Sequence, residues 1–600
     1  MAPNTSCPFP GFRPYRSAEE GLFTGRAQES ARVAALWRTR ALTVLHGPSG
    51  IGKSSLLHAG VLPLLRRLGV DVLPVGGVTA GPIFPEAAIP SPNPLARALL
   101  RSWMPDTPLP PAGVHRFLRR AGRPGRPALV AVDHLEDAYA GDRDAARREL
   151  LGLLAPVRHV HLLLCIRDDR LDALLGEVEG LFPDIALFRL GGLAPAAAAE
   201  ALRRPMRDAG RTVPPTAAEA LADDLATARI VDETGGVRAR ERLEAVEPWQ
   251  LQATCLWLWR AWPQGHGSPP GHPLPGDLSG EPPGSLPGEL PRDPSRALSG
   301  ELLRDPSSGL PGGVPGDPPG GPRGGGPSGA ADEALRDVLW DVICRVAAGF
   351  DRDPVRLCGW LAAHLVAPSG AAGTLAEGPA ETEGMPNAVL RALARRSILR
   401  VTSAGGSRAY ALGHRLLAPL GQLARQAGSL GVPVFGPADR LRAALEALAD
   451  GDQAGAERHA RHAATTATHD LRLQIDAHTV LGNLAFAHGR LDLAQEAYER
   501  VLVLLEAQRD KASVGVMLAA IGRLSLSRGD VAAAQGLLHA AAARLPADRS
   551  VKVELARALA RTGQRTAAVA ILSSVMTAAE DDEARTLHRD LVAEMTDHVT

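Results

Sequence analysis

Residues 47–54 read Gly-Pro-Ser-Gly-Ile-Gly-Lys-Ser, and this octapeptide constrains the chain more than any other stretch. The apolar run ALTVLH (41–46) precedes it and the helical pattern SSLLHAGVLPLLRRL follows, so the loop must join a strand to a helix. Glycines at these spacings let backbone N–H groups turn inward around phosphate oxygens. Lys53 would add a point charge on the β and γ phosphates, and the Ser54 hydroxyl suits a Mg2+ ion. The candidate phosphate-binding residues are therefore Gly47, Pro48, Ser49, Gly50, Ile51, Gly52, Lys53, Ser54 and Ser55. Of the 66 basic residues only Lys53, Lys511 and Lys552 are lysines. In a chain so biased toward arginine, a lysine at this position is informative.

A metal-bound polyphosphate needs a second acid. ALVAVD (128–133) ends a buried apolar run at Asp133, the candidate metal ligand beside Ser54. Glu136 and Asp137 follow closely enough for one of them to orient or deprotonate a water, or they are solvated turn acids. His134 stands where many ATPases carry a catalytic glutamate, so a base must come later in the chain or be weak. VHLLLCI (160–166) leads into Arg167, a cation at the carboxyl edge of the sheet. It is a candidate sensor of the γ-phosphate, with a salt bridge to Asp168, Asp169 or a helix as the alternative. With VDVLPV (70–75), these runs alternate with helical patterns, the rhythm of a parallel sheet with crossover helices.

The 600 residues exceed one core, and the composition divides them. Residues 1–193 form the α/β core. Residues 194–262 are rich in Ala, Leu and Arg at helical spacing, without a strand signal, and predict a helical arm. Residues 263–330 hold 17 Pro and 18 Gly, too little apolar surface to offset chain ordering, and predict a disordered linker. Residues 331–430 begin with two helices, then read helix, strand, Gly turn, strand, helix over 387–420, an order suited to a winged helix. In 436–600, Gly451, Gly489, Gly529 and Gly563 each precede an Ala by five residues. Leu481-Gly482 with Ala494 and Tyr498, then Ala534, Leu538, Ala541 and Pro546, follow the tetratricopeptide pattern of small residues where two helices meet.

Lys+Arg and Asp+Glu are both 66, which removes the long-range field expected of a chain living mainly on nucleic acid or anionic lipid. No apolar run approaches the ~20 residues of a membrane-spanning helix. The opening residues lack the order of a secretory signal, so a cytoplasmic address is expected. The five scattered cysteines suggest neither a disulfide framework nor a zinc site.

CPFPGFRPYRSAEEGLFTGR, GPSGIGKSS, VDHLED, CIRDDRLDALL, LRRPM and VEPWQLQATCLWLW together resemble the novel STAND-type signal-transduction NTPases of bacteria over residues 8–262. The resemblance implies that Gly25-Arg26 lies beside the adenine. It implies too that an arm proline, here Pro248 unless that is a plain helix-start proline, packs near the nucleotide. The family's D-Q-F-E-E run is Asp133-His134-Leu135-Glu136-Asp137 here, with three positions departing and the acids in place. Through the related apoptotic and plant immune receptors, the resemblance makes His414 of Leu412-Gly413-His414-Arg415 the histidine that would reach the β-phosphate of ADP; a core or surface histidine is the alternative. Arg415 stands where those receptors have an acid.

The resulting expectation is an α/β P-loop core with helical arm and winged helix, followed by an all-α tetratricopeptide-like superhelix. It would work as a slow ATPase switch with ATP/ADP and Mg2+ as cofactors. ADP would hold a resting form; ATP would give an active, oligomeric one. A protein ligand on the repeats would trigger the change and a separate effector would receive it. Moving such a switch from 1:99 to 99:1 takes about 5.5 kcal/mol of differential binding, which favours a sizeable protein partner. Two other readings stand beside it. One is a winged-helix nucleic-acid-binding ATPase or transcription regulator with Arg395, Arg396 and Arg400 as contacts, disfavoured by the charge balance. The other is a repeat scaffold that binds nucleotide and barely hydrolyses it.

Overall fold

Every residue of β1 (Leu42–Gly47) and β3 (Ala128–Asp133) is buried, as in strands covered on both faces. With β2 (Gly76–Gly77), β4 (Val160–Arg167) and β5 (Ile185–Arg189) they form a parallel sheet of order β2-β3-β4-β1-β5. The computed structural model describes residues 7–11, 13–78, 83–89, 93–104, 113–123, 127–140, 143–155, 157, 159–231, 237–261, 327–367, 371–404, 407–576 and 582–597. Alternate residues serve opposite faces: Leu162, Leu164 and Ile166 join the core under Leu99 and Leu150, whereas Leu163 and Cys165 join the one around Trp37. Because β4 lies between β1 and β3, with Gly47 opposite Arg167, the strand ends bring the phosphate loop, Arg167 and Asp133 to one edge.

Two strand expectations change. VDVLPV makes only the isolated bridge Val72–Leu129, and regular pairing with β3 waits until Gly76–Gly77. β5, IALFR, closes the other edge, half-buried, a strand the sequence reading did not include. The arm has the helices Pro195–Asp208, Pro215–Leu225 and Pro248–Ala261, but it also carries an antiparallel hairpin, Thr227–Val231 with Val237–Arg242. The expectation of an all-helical arm is corrected by that hairpin.

Of the linker, residues 263–326 lie outside the described residues; the helix Pro327–Gly349 begins within its expected end. Next come the helix Pro354–Leu365, a three-stranded antiparallel sheet of Thr374–Ala376, Leu399–Ala404 and Ser407–Leu412, and the helices Asn387–Arg395 and Leu417–Gln426. Leu202, Leu225 and Trp249 of the arm share one apolar core with Leu335, Leu390 and Leu420 of this unit, so the two are packed together. Arg415 lies fully buried at their junction, bonded to Asp224 of the arm (2.7 Å) and to Asp332 of the helix after the linker.

Beyond Pro437 the chain forms antiparallel helix pairs: Pro437–Asp450 with Gln453–Thr466, Leu471–Ala487 with Leu491–Gln508, Lys511–Arg528 with Val531–Arg544, and Arg549–Arg561 with Arg565–Met576. Gly451, Gly489, Gly529 and Gly563 occupy the turns with φ between 68° and 84°, a backbone that side chains resist. Ala456, Ala494, Ala534 and Ala568, five residues on, have no exposed surface, since the partner helix leaves no room for more than a methyl group. Gly482 meets the Tyr498 ring so closely that a Cβ there would lie 2.4 Å from it. Gly482→Val is therefore expected to destabilise this helix pair by about 1–3 kcal/mol, read as an earlier transition in urea followed by circular dichroism.

No helix among the described residues is long and apolar enough to cross a membrane. Cys165, Cys255, Cys344 and Cys358 are buried free thiols and Cys7 is an exposed one.

Candidate functional site

The loop after β1 ends at Gly52, whose φ of 95° turns the chain into the helix that starts at Lys53. A Cβ on Gly52 would meet nothing within 4 Å, so the cradle is open on that side. The helix passes through a wider turn, Leu56–Val61, where Pro63 supplies no N–H for the ordinary bond, and resumes as Leu62–Arg67. Lys53 is buried, and its Nζ donates to the carbonyls of Gly47 (2.8 Å) and Pro48 (3.0 Å). Burial lowers its pKa, with Glu136 and Asp133 opposing the shift. Ser55 Oγ accepts from Tyr15 N at 3.2 Å, tying the N-terminal segment to the helix.

Ser54 and Asp133 face each other across His134. Its ring Nε2 is 3.3 Å from Ser54 Oγ and 3.7 Å from Asp133 Oδ2. The left-handed backbone of His134 (φ 54°) is secured by its N–H donating to Asp133 Oδ1 at 2.9 Å. The Asp133 charge, with Glu136 adding to it, lifts the imidazole pKa to about 10, so a cationic nitrogen sits between hydroxyl and carboxylate. A hydroxyl and a carboxylate around a position already held by positive charge fit a small oxygen-preferring cation such as Mg2+.

Glu136 faces the same space. Burial alone would raise its carboxyl, but His134, Lys53 and Arg167 outweigh that and hold it at about 2. Its Oε2 is buried with no hydrogen-bond partner among the described residues, an unmet acceptor in a site meant for polar occupants. Arg167 lines the same cavity and donates from Nε to Asp169 Oδ1 at 2.9 Å. The two sequence alternatives for Arg167 are thus compatible: the guanidinium is steered by Asp169 and still borders the phosphate loop. The other Asp169 oxygen accepts from Arg408 at 2.5 Å, so this carboxylate links Arg167 to the small antiparallel sheet.

Asp137 lies elsewhere. Its carboxylate accepts at 2.6 Å from Nη1 of Arg395, a residue of the unit beyond the linker. Arg395 forms a three-way junction: Nη2 donates to Ala449 O of the first repeat helix (2.7 Å), and its own carbonyl accepts from Ser49 Oγ of the phosphate loop (3.4 Å). Ser49 Oγ also lies 3.3 Å from Ser397 Oγ, and a Cβ on Gly50 would come within 2.4 Å of that hydroxyl. Arg143 joins the junction through Asp137 O (3.1 Å) and Leu448 O (2.9 Å), setting two cations at the carbonyl end of the first repeat helix.

Arg26 is buried and holds the connector between sheet and arm, donating to Gly191 O (2.6 Å) and Gly192 O (3.4 Å). Gly25 beside it abuts Ala197 of the arm. Pro248 opens the helix Pro248–Ala261, and next to it Trp249 packs against Gly50. A cavity of about 1490 Å³ is lined by Arg26, the loop from Ser49 to Ser55, His134, Glu136, Arg167 and Pro248. The side chain of His414 lies outside the described residues.

Sequence reasoning missed Ser397, Arg408, the link from Asp169 to Arg408 and the junction role of Arg395. No local pattern marks them, because their partners lie more than 200 residues away in the chain. The arginines offered as nucleic-acid contacts are engaged inside the molecule: Arg395 as above, Arg396 with Glu446, Arg400 with Glu247.

The family model for Novel STAND NTPase 1 matches residues 8–236, which span the sheet, the phosphate loop and the start of the arm. This part of the chain is similar to the novel STAND NTPases. A tetratricopeptide-repeat model matches residues 525–591, within the helix pairs that follow it. No curated protein matches the chain. Among solved structures it is similar to a STAND protein with a tetratricopeptide repeat sensor from Pyrococcus horikoshii, at 10% identity and TM-score 0.27, covering 97% of this chain and 85% of that one. It is also similar to the Aeropyrum pernix ORC2 protein in its ADPNP–ADP complexes, at 12% identity and TM-score 0.31, covering 67% of this chain and 94% of that one.

Proposed function

We propose that the chain is an ATP-dependent signalling switch in which ADP stabilises a closed resting form and ATP an open, oligomeric one. The observation that carries this reading is Arg395, which touches the phosphate loop through its carbonyl and both Asp137 and the first repeat helix through its guanidinium. Any change in the loop on nucleotide exchange would strain three segments at once.

The Walker-type residues have the following roles. The amides of residues 47–55 cradle the phosphates, and Lys53 leaves the Gly47 and Pro48 carbonyls to pair with them. Ser54 and Asp133 would hold Mg2+, which supplies charge neutralisation on the β and γ phosphates; His134 leaves the space between them. Glu136 offers its free carboxylate oxygen to a water, and Arg167, steered by Asp169, contacts the γ-phosphate. Gly25 and Arg26 border the base, Pro248 packs beside it, and His414 would approach from the winged-helix unit of 331–430. Asp137 serves the clasp through Arg395. Hydrolysis is slow and resets the switch; a separate cytoplasmic effector reads the open form, and a protein ligand on the repeats favours opening.

Arg395→Ala tests this. Losing a part-buried, charge-assisted pair should speed release of a fluorescent ADP analogue about tenfold or more, with the STAND domain still folded. An unchanged release rate would remove the clasp from the cycle.

A further inference from the structure

Between β2 and the helix Pro94–Trp103, the STAND domain sends residues 83–89, Ile-Phe-Pro-Glu-Ala-Ala-Ile, onto the helical repeats. The segment packs against Leu471–Ala487 and Lys511–Arg528, the first helices of two successive pairs. Asn483 holds it by the main chain: its Oδ1 accepts from Glu86 N at 3.0 Å and its Nδ2 donates to Phe84 O at 2.8 Å. Tyr498, fully buried, donates to the same Asn483 Oδ1 at 2.7 Å and so fixes the amide's orientation. Ala87 and Ala88 are buried in the apolar cluster that contains Tyr498 and Met517. One side-chain amide reading both a backbone N–H and a backbone C=O is recognition of an extended peptide, and the paired small residues suit a narrow floor.

We propose that Asn483 and Tyr498 form a peptide-binding site of the repeats, that residues 84–88 occupy it at rest, and that the activating partner is a protein presenting an extended segment of the same pattern, an aromatic residue, two intervening residues and then two small ones. Such a partner displaces the STAND domain's own segment and frees the core from the repeats. The proposal rests on the switch reading only for that last consequence; the site itself stands on its geometry.

The test uses the full chain and a labelled peptide of residues 83–89, followed by fluorescence anisotropy. In the wild type the tethered segment competes, so the peptide binds weakly. Ala87→Arg places a charge at a buried position and evicts the segment, leaving Asn483 untouched; peptide affinity should rise about tenfold or more, since the occupied fraction of sites no longer lowers it. Adding Asn483→Ala should abolish the gain. Should Ala87→Arg fail to fold, Glu86→Pro removes the N–H that Asn483 accepts and should give the same order. Equal peptide affinity in wild type and evicted variants, or a gain that survives Asn483→Ala, overturns the site. A gain that depends on Asn483 while release of the ADP analogue stays unchanged leaves the site standing and overturns the switch reading instead.

Discussion

Replacing Lys53 with Ala is expected to weaken nucleotide binding by about 2–3 kcal/mol, roughly 30- to 150-fold in dissociation constant. The ammonium is already desolvated and bonds to two carbonyls of the loop, so the site meets the cost of burying it before nucleotide arrives. Exchanging those carbonyls for phosphate oxygens replaces two ion–dipole bonds with two between opposite charges, and the added Coulomb attraction strengthens each. Alanine removes that gain and leaves the backbone cradle, which alone retains weak phosphate affinity. Titration calorimetry with ADP and with ATP, each with Mg2+, reads the loss directly. Phosphate release in a single turnover should fall at least in proportion; equal rates in wild type and variant would mean that the chain has no catalytic cycle through this loop.

Arg415→Met should destabilise the junction of the arm and the unit beyond the linker by about 3–5 kcal/mol. The substitution keeps an unbranched apolar stem and leaves the carboxylates of Asp224 and Asp332 in a buried place without the guanidinium that joins them. A buried charge deprived of its partner is the costly outcome, more than the loss of the bonds themselves. Urea unfolding of the variant should show an early transition for this part of the chain. Adding Asp332→Asn should recover some of the loss, because one of the two carboxylates that faced the guanidinium no longer carries a charge. If the double variant were no more stable than Arg415→Met, the penalty would have to come from packing rather than charge.

Features decided within a few turns of chain were legible in the sequence. The phosphate loop, the Asp133 strand and the Gly/Ala spacing of the repeats each obey a local steric rule, so their residues appear where expected. β5 and the arm hairpin were not expected. Val237–Arg242 reads VRARER and carries no β-type apolar run, while Ile185–Arg189 reads IALFR, a short apolar run at a half-buried edge that sequence reading passed over. VDVLPV was apolar enough for a strand but meets Leu129 at only one residue. At the site, the sequence marked the acids by proximity to Asp133 and could not separate Glu136, facing the cavity, from Asp137, bonded to Arg395 258 residues later. The same distance problem hides Arg415: its place beside His414 suggested a departure from a receptor motif, whereas the fold uses it to join Asp224 and Asp332.

The whole account depends on a nucleotide seated on residues 47–55 of the resting chain. Denaturing the freshly purified protein and identifying the released small molecule by chromatography and mass tests that most directly. The account predicts ADP in near-equal amount to protein, lost in Lys53→Ala; protein that carries no nucleotide, and takes up none when ADP or ATP is added with Mg2+, would contradict it.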